Sequence, residues 1–181
     1  MAAPIVGVLA LQGDFEAHGA LLRGLGADAR EVRTVADLGG VQALVLPGGE
    51  STTMTLGIER EGLRDPLREL CGRVPVLGTC AGMIMLDRDH LDVLDIRCER
   101  NAFGRQVHSF EAAVALRGFA EPFHGVFIRA PWVAEHGPDV EVLGVVDGHP
   151  VAVRAGRITA VAFHPELIGE SRLHGDLLAR L

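Results

Sequence analysis

The feature that most constrains this chain is a repeated unit: an aliphatic run of strand length, a glycine-bearing turn, then a segment with helical spacing. "PIVGVLAL" is continuously β-branched and aliphatic, the pattern of a strand covered on both faces. "FEAHGALLRGLGA" follows with helical periodicity and ends in glycine. "VQALVLPGGE" repeats the strand and turn, and "STTMTLGIEREGL" the helix, with Ser51 or Thr52 placed to cap it. "LRDPLRELCGR" reads as another amphipathic helix and "VPVLG" as a third buried strand. Fully buried strands alternating with helices predict an α/β fold of three α/β/α layers around a mostly parallel sheet.

Past residue 95 or so the pattern changes to short strands: "VHSFEAAVAL", "GVFIRA", "VEVLGVV", "PVAVRA" and "ITAVAF". Asp147-Gly148 between two such runs is a hairpin signal, and Gly156 marks a second turn. Additional antiparallel strands are therefore expected in the second half. "SRLHGDLLARL" closes the chain as a helix with Leu173, Leu177, Leu178 and Leu181 on one face. With the strand–turn–helix pattern recurring but no internal sequence repeat, low-complexity tract or linker, residues 1–181 are expected to form one domain, the change near 95 being one of sheet style.

Charge narrows the partners. A formal net charge of −7 without a basic run argues against electrostatic binding to nucleic acid or anionic lipid. The first apolar run is far shorter than the ~20 residues of a membrane helix, and no basic leader precedes it, so a cytoplasmic protein is expected. Three cysteines, Cys71, Cys80 and Cys98, lack CxxC spacing and fit free thiols in a reducing compartment. No HExxH, paired CxxC, Walker A or GxGxxG occurs, so neither a catalytic metal nor a nucleotide cofactor is expected.

Reactive groups in parallel sheets sit beyond the carboxyl ends of strands. Cys80 falls there, inside Gly78-Thr79-Cys80-Ala81-Gly82. This is the G-x-nucleophile-x-G form of a nucleophile elbow, in which flanking glycines permit a sharp turn and the following helix aims its positive end at the sulfur. A buried, inert core cysteine is the competing reading. "ITAVAFHPEL" ends a buried strand with His164 and Glu166. If strand geometry persists across Pro165, residues two apart share a side, and Glu166 orients the imidazole that serves Cys80. A capping histidine beside a solvated glutamate is the alternative. Cys71 and Cys98 are assigned to packing, and the other histidines to surfaces and turns.

The "PGGES" loop, Pro47 to Ser51, supplies backbone N–H groups after a strand. With the N–H of Ala81, that of Gly48 suits an oxyanion hole, although the same loop also suits a plain tight turn.

Together these residues resemble the class I (triad) glutamine amidotransferase family, whose members carry G-x-C-x-G and, far downstream, H-P-E. The narrower likeness, to the glutaminase subunits of pyridoxal 5′-phosphate synthases, rests on "GVLALQGDFEAH", "LPGGESTTM", "GTCAGMI", "ERNAFGRQVHSFEA", "FIRAP" and "FHPEL", and spans nearly the whole chain. The resemblance implies that Cys80 is the nucleophile and that His164 and Glu166 complete the triad. It implies that Gly48, Gly49, Glu50, Arg100, Ile128 and Arg129 hold L-glutamine. Either arginine suits the substrate carboxylate, and either equally suits a structural ion pair. It further implies a (β/α)8-barrel pyridoxal 5′-phosphate synthase partner in a large hetero-oligomer. A stand-alone cysteine hydrolase of γ-glutamyl or peptide bonds and a silent regulatory subunit are the other readings. One departure is local: "LDRDHLDVLDIRC", before "ERN", is shorter than relatives usually have.

Overall fold

The computed structural model describes residues 2–103 and 109–181. In chain order the elements are β1 (Ile5–Leu9), α1 (Phe15–Gly24), β2 (Asp28–Val32), β3 (Ala43–Leu46), α2 (Ser51–Arg60), α3 (Arg64–Cys71), β4 (Val76–Thr79) and α4 (Ala81–Leu86). Then come β5 (Ile96–Glu99), β6 (Ser109–Val114), β7 (Phe123–Ile128), β8 (Trp132–His136), β9 (Glu141–Val146), β10 (His149–Ala155), β11 (Ile158–Val161) and α5 (Arg172–Leu178). The expected strand in "VHSFEAAVAL" is seen from Ser109; Val107 and His108 lie outside the described residues.

The central sheet has the order β2-β1-β3-β4-β11-β10-β9. From β2 to β11 every pair is parallel, whereas β10 and β9 are antiparallel additions at one edge. β3, β4 and β11 are buried along their whole length, which is why their sequences are mostly aliphatic and carry no charge. From β1 the chain moves outward through α1 to β2, and from β3 it moves the other way through α2 and α3 to β4. Right-handed crossovers in opposite directions place these helices on opposite faces. They also open a crevice between the carboxyl ends of β1 and β3. The loops after β1 and β3 meet there, and the neighbouring carboxyl ends of β4 and β11 carry Cys80 and His164.

The hairpin at Asp147-Gly148 forms as expected between β9 and β10, both turn residues having positive φ (50° and 80°). Strands β2, β5 and β8 are additions to the expected set, and two other expectations are corrected. β2, β5 and β8 carry charged residues on exposed positions and lack an aliphatic run. The cap of α2 is Glu50 rather than Ser51 or Thr52; its carboxylate accepts from the N–H groups of Thr52 and Thr53 at 3.1 and 2.7 Å. Of the four leucines expected on one face of the last helix only Leu173 and Leu177 are buried, and Leu181 lies beyond α5, half exposed.

The short segment after α4 is organised by one buried carboxylate. Asp87 accepts from the Asp89 N–H at 2.9 Å, the His90 ring at 2.7 Å and the Cys98 N–H at 3.2 Å. Three donors satisfy a buried anion, so few residues are needed to return the chain to β5. The small sheets β5-β8 and β6-β7 are pinned by an aromatic cluster: Phe110 stacks on Phe127 at 4.6 Å, and Phe103 meets both edge-on. This cluster fixes the end of β7, from which Ile128 and Arg129 reach the crevice. Among the described residues no helix is long and apolar enough to cross a membrane.

Candidate active site

Cys80 sits between β4 and α4 with φ 49° and ψ −108°. A non-glycine residue in that region is strained, and such strain persists only where the surroundings overdetermine it. They do so here: the Cys80 N–H donates to Val161 O at 2.8 Å, tying the elbow to β11. Gly82 packs α4 directly on β3, because a Cβ at that position would collide with the carbonyl oxygen of Leu46. The glycines expected to frame an elbow thus have a steric reason to be there. The sulfur lies 3.8 Å from Ile128 O.

β11, the hydrogen-bonded neighbour of β4, leads directly to His164, whose N–H donates to Val126 O at 2.9 Å. His164 Nδ1–H donates to Glu166 Oε1 at 2.6 Å. The expected contact is made, but not by strand geometry: Pro165 is helical (φ −66°, ψ −30°), and Glu166–Ile168 form a 3-10 turn that swings the carboxylate back beneath the ring. Both His164 and Glu166 are buried.

Cys80 and His164 converge on the same spot. A Cβ built on Gly48 would lie 2.9 Å from His164 Nδ1 and 3.3 Å from Cys80 Cβ, so imidazole and nucleophile flank one glycine. Burial alone would lower the imidazole pKa, but hydrogen bonds to Cys80 and Glu166, together with their charges, outweigh it and carry His164 to about 10. The ring therefore holds a proton in neutral solution.

The loop after β3 is braced by the loop after β1. The Glu50 N–H donates to Gln12 Oε1 at 2.6 Å, and Gly13 has no room for a Cβ because the Gly48 carbonyl oxygen occupies that place. The Glu50 carboxyl is held down at about 2, chiefly by the Thr53 hydroxyl and then by the Thr53 and Thr52 N–H groups. Its Oε1 also lies 3.5 Å from Arg100, which donates to Thr52 Oγ1 at 3.3 Å. Arg129 stands opposite with a strained φ of 44°.

These groups surround a cavity of about 690 Å³ lined by Gly49, Glu50, Ser51, Cys80, Ala81, Arg100, Ile128, Arg129 and His164, with Asp14, Ile84, Asn101 and Ser109. Gly48 lies behind the Cys80–His164 pair. All the residues expected at the site are thus brought together. Asp14, His164 and Glu166 offer ligand atoms within 4.8 Å of one another, the one such metal-competent group among the described residues. Glu166 Oε1 and His164 Nδ1 are already bound to each other, however, so the group is the imidazole–carboxylate pair with an acidic residue at its rim.

Two features were not anticipated. Gln12 gave no signal because its partner is a backbone N–H on another loop. His18 and His174, expected at surfaces or turns, are completely buried behind Glu166. Cys71 and Cys98 fit the packing assignment, since burial pushes the Cys71 thiol up to about 12, and burial with Asp87 and Asp89 raises Cys98 also.

Fold and site together define an α/β protein with a cysteine nucleophile elbow and an imidazole–carboxylate pair at the switch point of a parallel sheet. The chain belongs to the SNO glutamine amidotransferase family, whose profile matches residues 8–180. It is 51% identical to the pyridoxal 5′-phosphate synthase subunit PdxT of Mycolicibacterium vanbaalenii, with full coverage of both chains. It is 53% identical to the protein of the same name from Acidothermus cellulolyticus, over 97% of this chain and 93% of that one. A crystal structure described as a glutamine amidotransferase superposes with a TM-score of 0.89 at 46% identity, covering 96% and 97% of the two chains.

Proposed function

We propose that residues 1–181 form one glutaminase domain that hydrolyses L-glutamine through a Cys80 thioester and delivers the ammonia to a pyridoxal 5′-phosphate synthase partner in the cytoplasm. The observation that carries this reading is the strained Cys80 beside an imidazole paired to a carboxylate, in a cavity that Arg100 and Arg129 also line. The names of the full-length relatives support the choice of pathway and partner.

The chemistry follows from the geometry. Cys80 Sγ attacks the side-chain carboxamide carbon, and the oxyanion is received by backbone N–H groups of Gly48 and Ala81. His164, which holds a proton at neutral pH, gives it to the nitrogen as the C–N bond breaks, so ammonia leaves as a neutral molecule. The imidazole then takes a proton from water, the resulting hydroxide attacks the thioester, and glutamate departs, its new carboxyl proton lost to solvent, leaving the sulfur anion beside a protonated His164 as at the start. Glu166 keeps the ring oriented throughout. Arg100 and Arg129 receive the α-carboxylate, Arg100 being steadied by Glu50, while Gly49, Glu50 and Ile128 form the surrounding wall.

Most free ammonia is protonated at neutral pH and therefore not nucleophilic, so the product is useful when passed on before it equilibrates with water. A barrel-shaped synthase subunit docked over the cavity mouth, in a hetero-oligomer, would take it directly. The test is glutamate release from glutamine by this chain with and without its cognate synthase. Stimulation by the synthase, abolished by Cys80→Ala, is the expected result. Turnover of glutamine by the Cys80→Ala protein would overturn the assignment of the nucleophile, and synthase-independent cleavage of γ-glutamyl peptides would replace the reading with a stand-alone hydrolase.

A further inference from the structure

Behind the imidazole–carboxylate pair lies a line of buried polar groups that the proposed chemistry does not use. His18 on α1 and His174 on α5 are both completely buried, and their ring nitrogens, His18 Nδ1 and His174 Nε2, are 2.8 Å apart. The other nitrogen, His18 Nε2, is 3.1 Å from Thr79 Oγ1, one residue before the nucleophile, and 3.4 Å from Glu166 Oε2. Glu166 Oε2 has no hydrogen-bond partner within ordinary distance, and neither does His174 Nδ1.

These two orphaned atoms choose between the possible proton arrangements. If His18 carried its proton on Nδ1, its Nε2 lone pair would face the lone pairs of a buried carboxylate oxygen, and His174 would bury an unpaired N–H. If instead His174 Nε2–H donates to His18 Nδ1, then His18 Nε2–H lies between Thr79 Oγ1 at 3.1 Å and Glu166 Oε2 at 3.4 Å, its positive end toward the carboxylate. A lone pair at His174 Nδ1 and a long contact at Glu166 Oε2 are then left over, a cheaper deficit than a buried unpaired donor. We infer that His18, itself held by His174, is a positioning residue whose Nε2–H fixes the second oxygen of Glu166 and thereby the orientation and charge of His164. The donors then converge on Glu166: His174 donates to His18 and His18 faces Glu166 from the α5 side, while His164 donates to Glu166 from the other side and reaches Cys80 beyond it. This inference rests on the glutaminase reading only for its kinetic consequence.

The groups facing this line among the described residues are few. His18 meets Thr79 from β4, His174 from α5, Glu166 from the 3-10 turn and, more distantly, His164. His164 and Glu166 also have Asp14 beside them, and His174 has Glu170. Burial keeps both His18 and His174 neutral, as the arrangement requires.

Two near-isosteric variants separate positioning from packing. With glutamine at position 18 the amide nitrogen falls near the site of Nε2 and keeps a donor toward Glu166, whereas asparagine there reaches only toward His174. His18→Gln is therefore expected to recover most of the synthase-stimulated kcat, and His18→Asn to lose at least about tenfold with KM little changed. In the isolated chain, NMR titration of His164 is expected to show its pKa falling in His18→Asn and staying near the parent value in His18→Gln. A purely structural role would lower the thermal stability of both variants alike and leave His164 titrating as in the parent; that result overturns the inference. If either variant fails to fold, His174→Leu, which removes the donor toward His18, replaces it: a lowered His164 pKa supports the line of donors and a parent-like titration overturns it. The titration is independent of turnover, so it remains informative even if the chain proves not to be a glutaminase.

Discussion

Replacing Gly48 by alanine inserts one methyl group between the nucleophile and its base. The added Cβ would lie 2.9 Å from His164 Nδ1, closer still to Cε1, and 3.3 Å from Cys80 Cβ. Comfortable carbon contacts need about 3.5–4.0 Å, so the ring or the loop must retreat by on the order of 1 Å. The ring has nowhere to go, since it is buried and bound at 2.6 Å to Glu166. Backbone strain is not involved, because the positive φ belongs to Gly49 (152°) and not to Gly48. Overpacking of this kind costs about 1–3 kcal/mol of stability. A displacement of about 1 Å between reacting groups costs roughly a hundredfold in rate, equivalent to about 2.7 kcal/mol of barrier. Gly48→Ala is therefore expected to fold with a lowered Tm and to release glutamate, in the presence of synthase, roughly a hundredfold more slowly than the parent with KM within a few-fold. Turnover within about threefold of the parent at an unchanged Tm would show that Cys80 and His164 do not work across this glycine, and the reasoning would fail.

Thiol chemistry offers a second check. Brief iodoacetamide treatment of the native protein near pH 8 should modify Cys80 and spare Cys71 and Cys98, whose thiols burial pushes up, Cys71 to about 12. Peptide mapping showing Cys71 modified as fast as Cys80 would contradict the assigned environments. The pH dependence of stability has a definite sign. Burial lowers His174 to about 4 and His18 well below its usual value, so the unfolded chain binds protons that the fold excludes. Stability from this pair is present above about pH 6.5 and is lost as the pH falls toward 4, with His174 alone contributing on the order of 3 kcal/mol. His164, raised to about 10, acts in the opposite sense: its contribution is full below about pH 6.5 and disappears as the pH climbs to 10. Urea midpoints should peak within roughly one unit of pH 6.5, and a midpoint still rising at pH 9 would refute the account.

The parallel core was legible because burial on both faces leaves a plain mark: β1, β3, β4 and β11 have no polar face to interrupt them. β2 was invisible because "DAREV" is an edge strand with Arg30 and Glu31 in water, where charge is no obstacle to pairing. At the site, G-x-C-x-G and H-P-E were readable because a tight turn and a short-range contact each leave a local pattern. His164 and Glu166 met even though the assumed extended backbone was wrong, since a 3-10 turn also brings neighbours two apart together. The capping role of Glu50 was missed because Ser51 offered the more familiar cap; the acid won through two N–H groups and a hydroxyl. His18 and His174 could not be found at all, because their burial depends on packing two helices from opposite ends of the chain.

That β11 lies beside β4 also sets a timetable for the molecule as it is made. β4 and the elbow emerge from the ribosome while the strand that closes the sheet over them is still unwritten, so for much of synthesis β4 presents an open edge. A pairing this remote is slow to form and leaves the unfinished sheet exposed to other chains. It also means that no amino-terminal fragment ending before β11 can assemble the reactive pair. A truncated product would carry an exposed sulfur and a sticky strand without the imidazole that gives either of them a purpose.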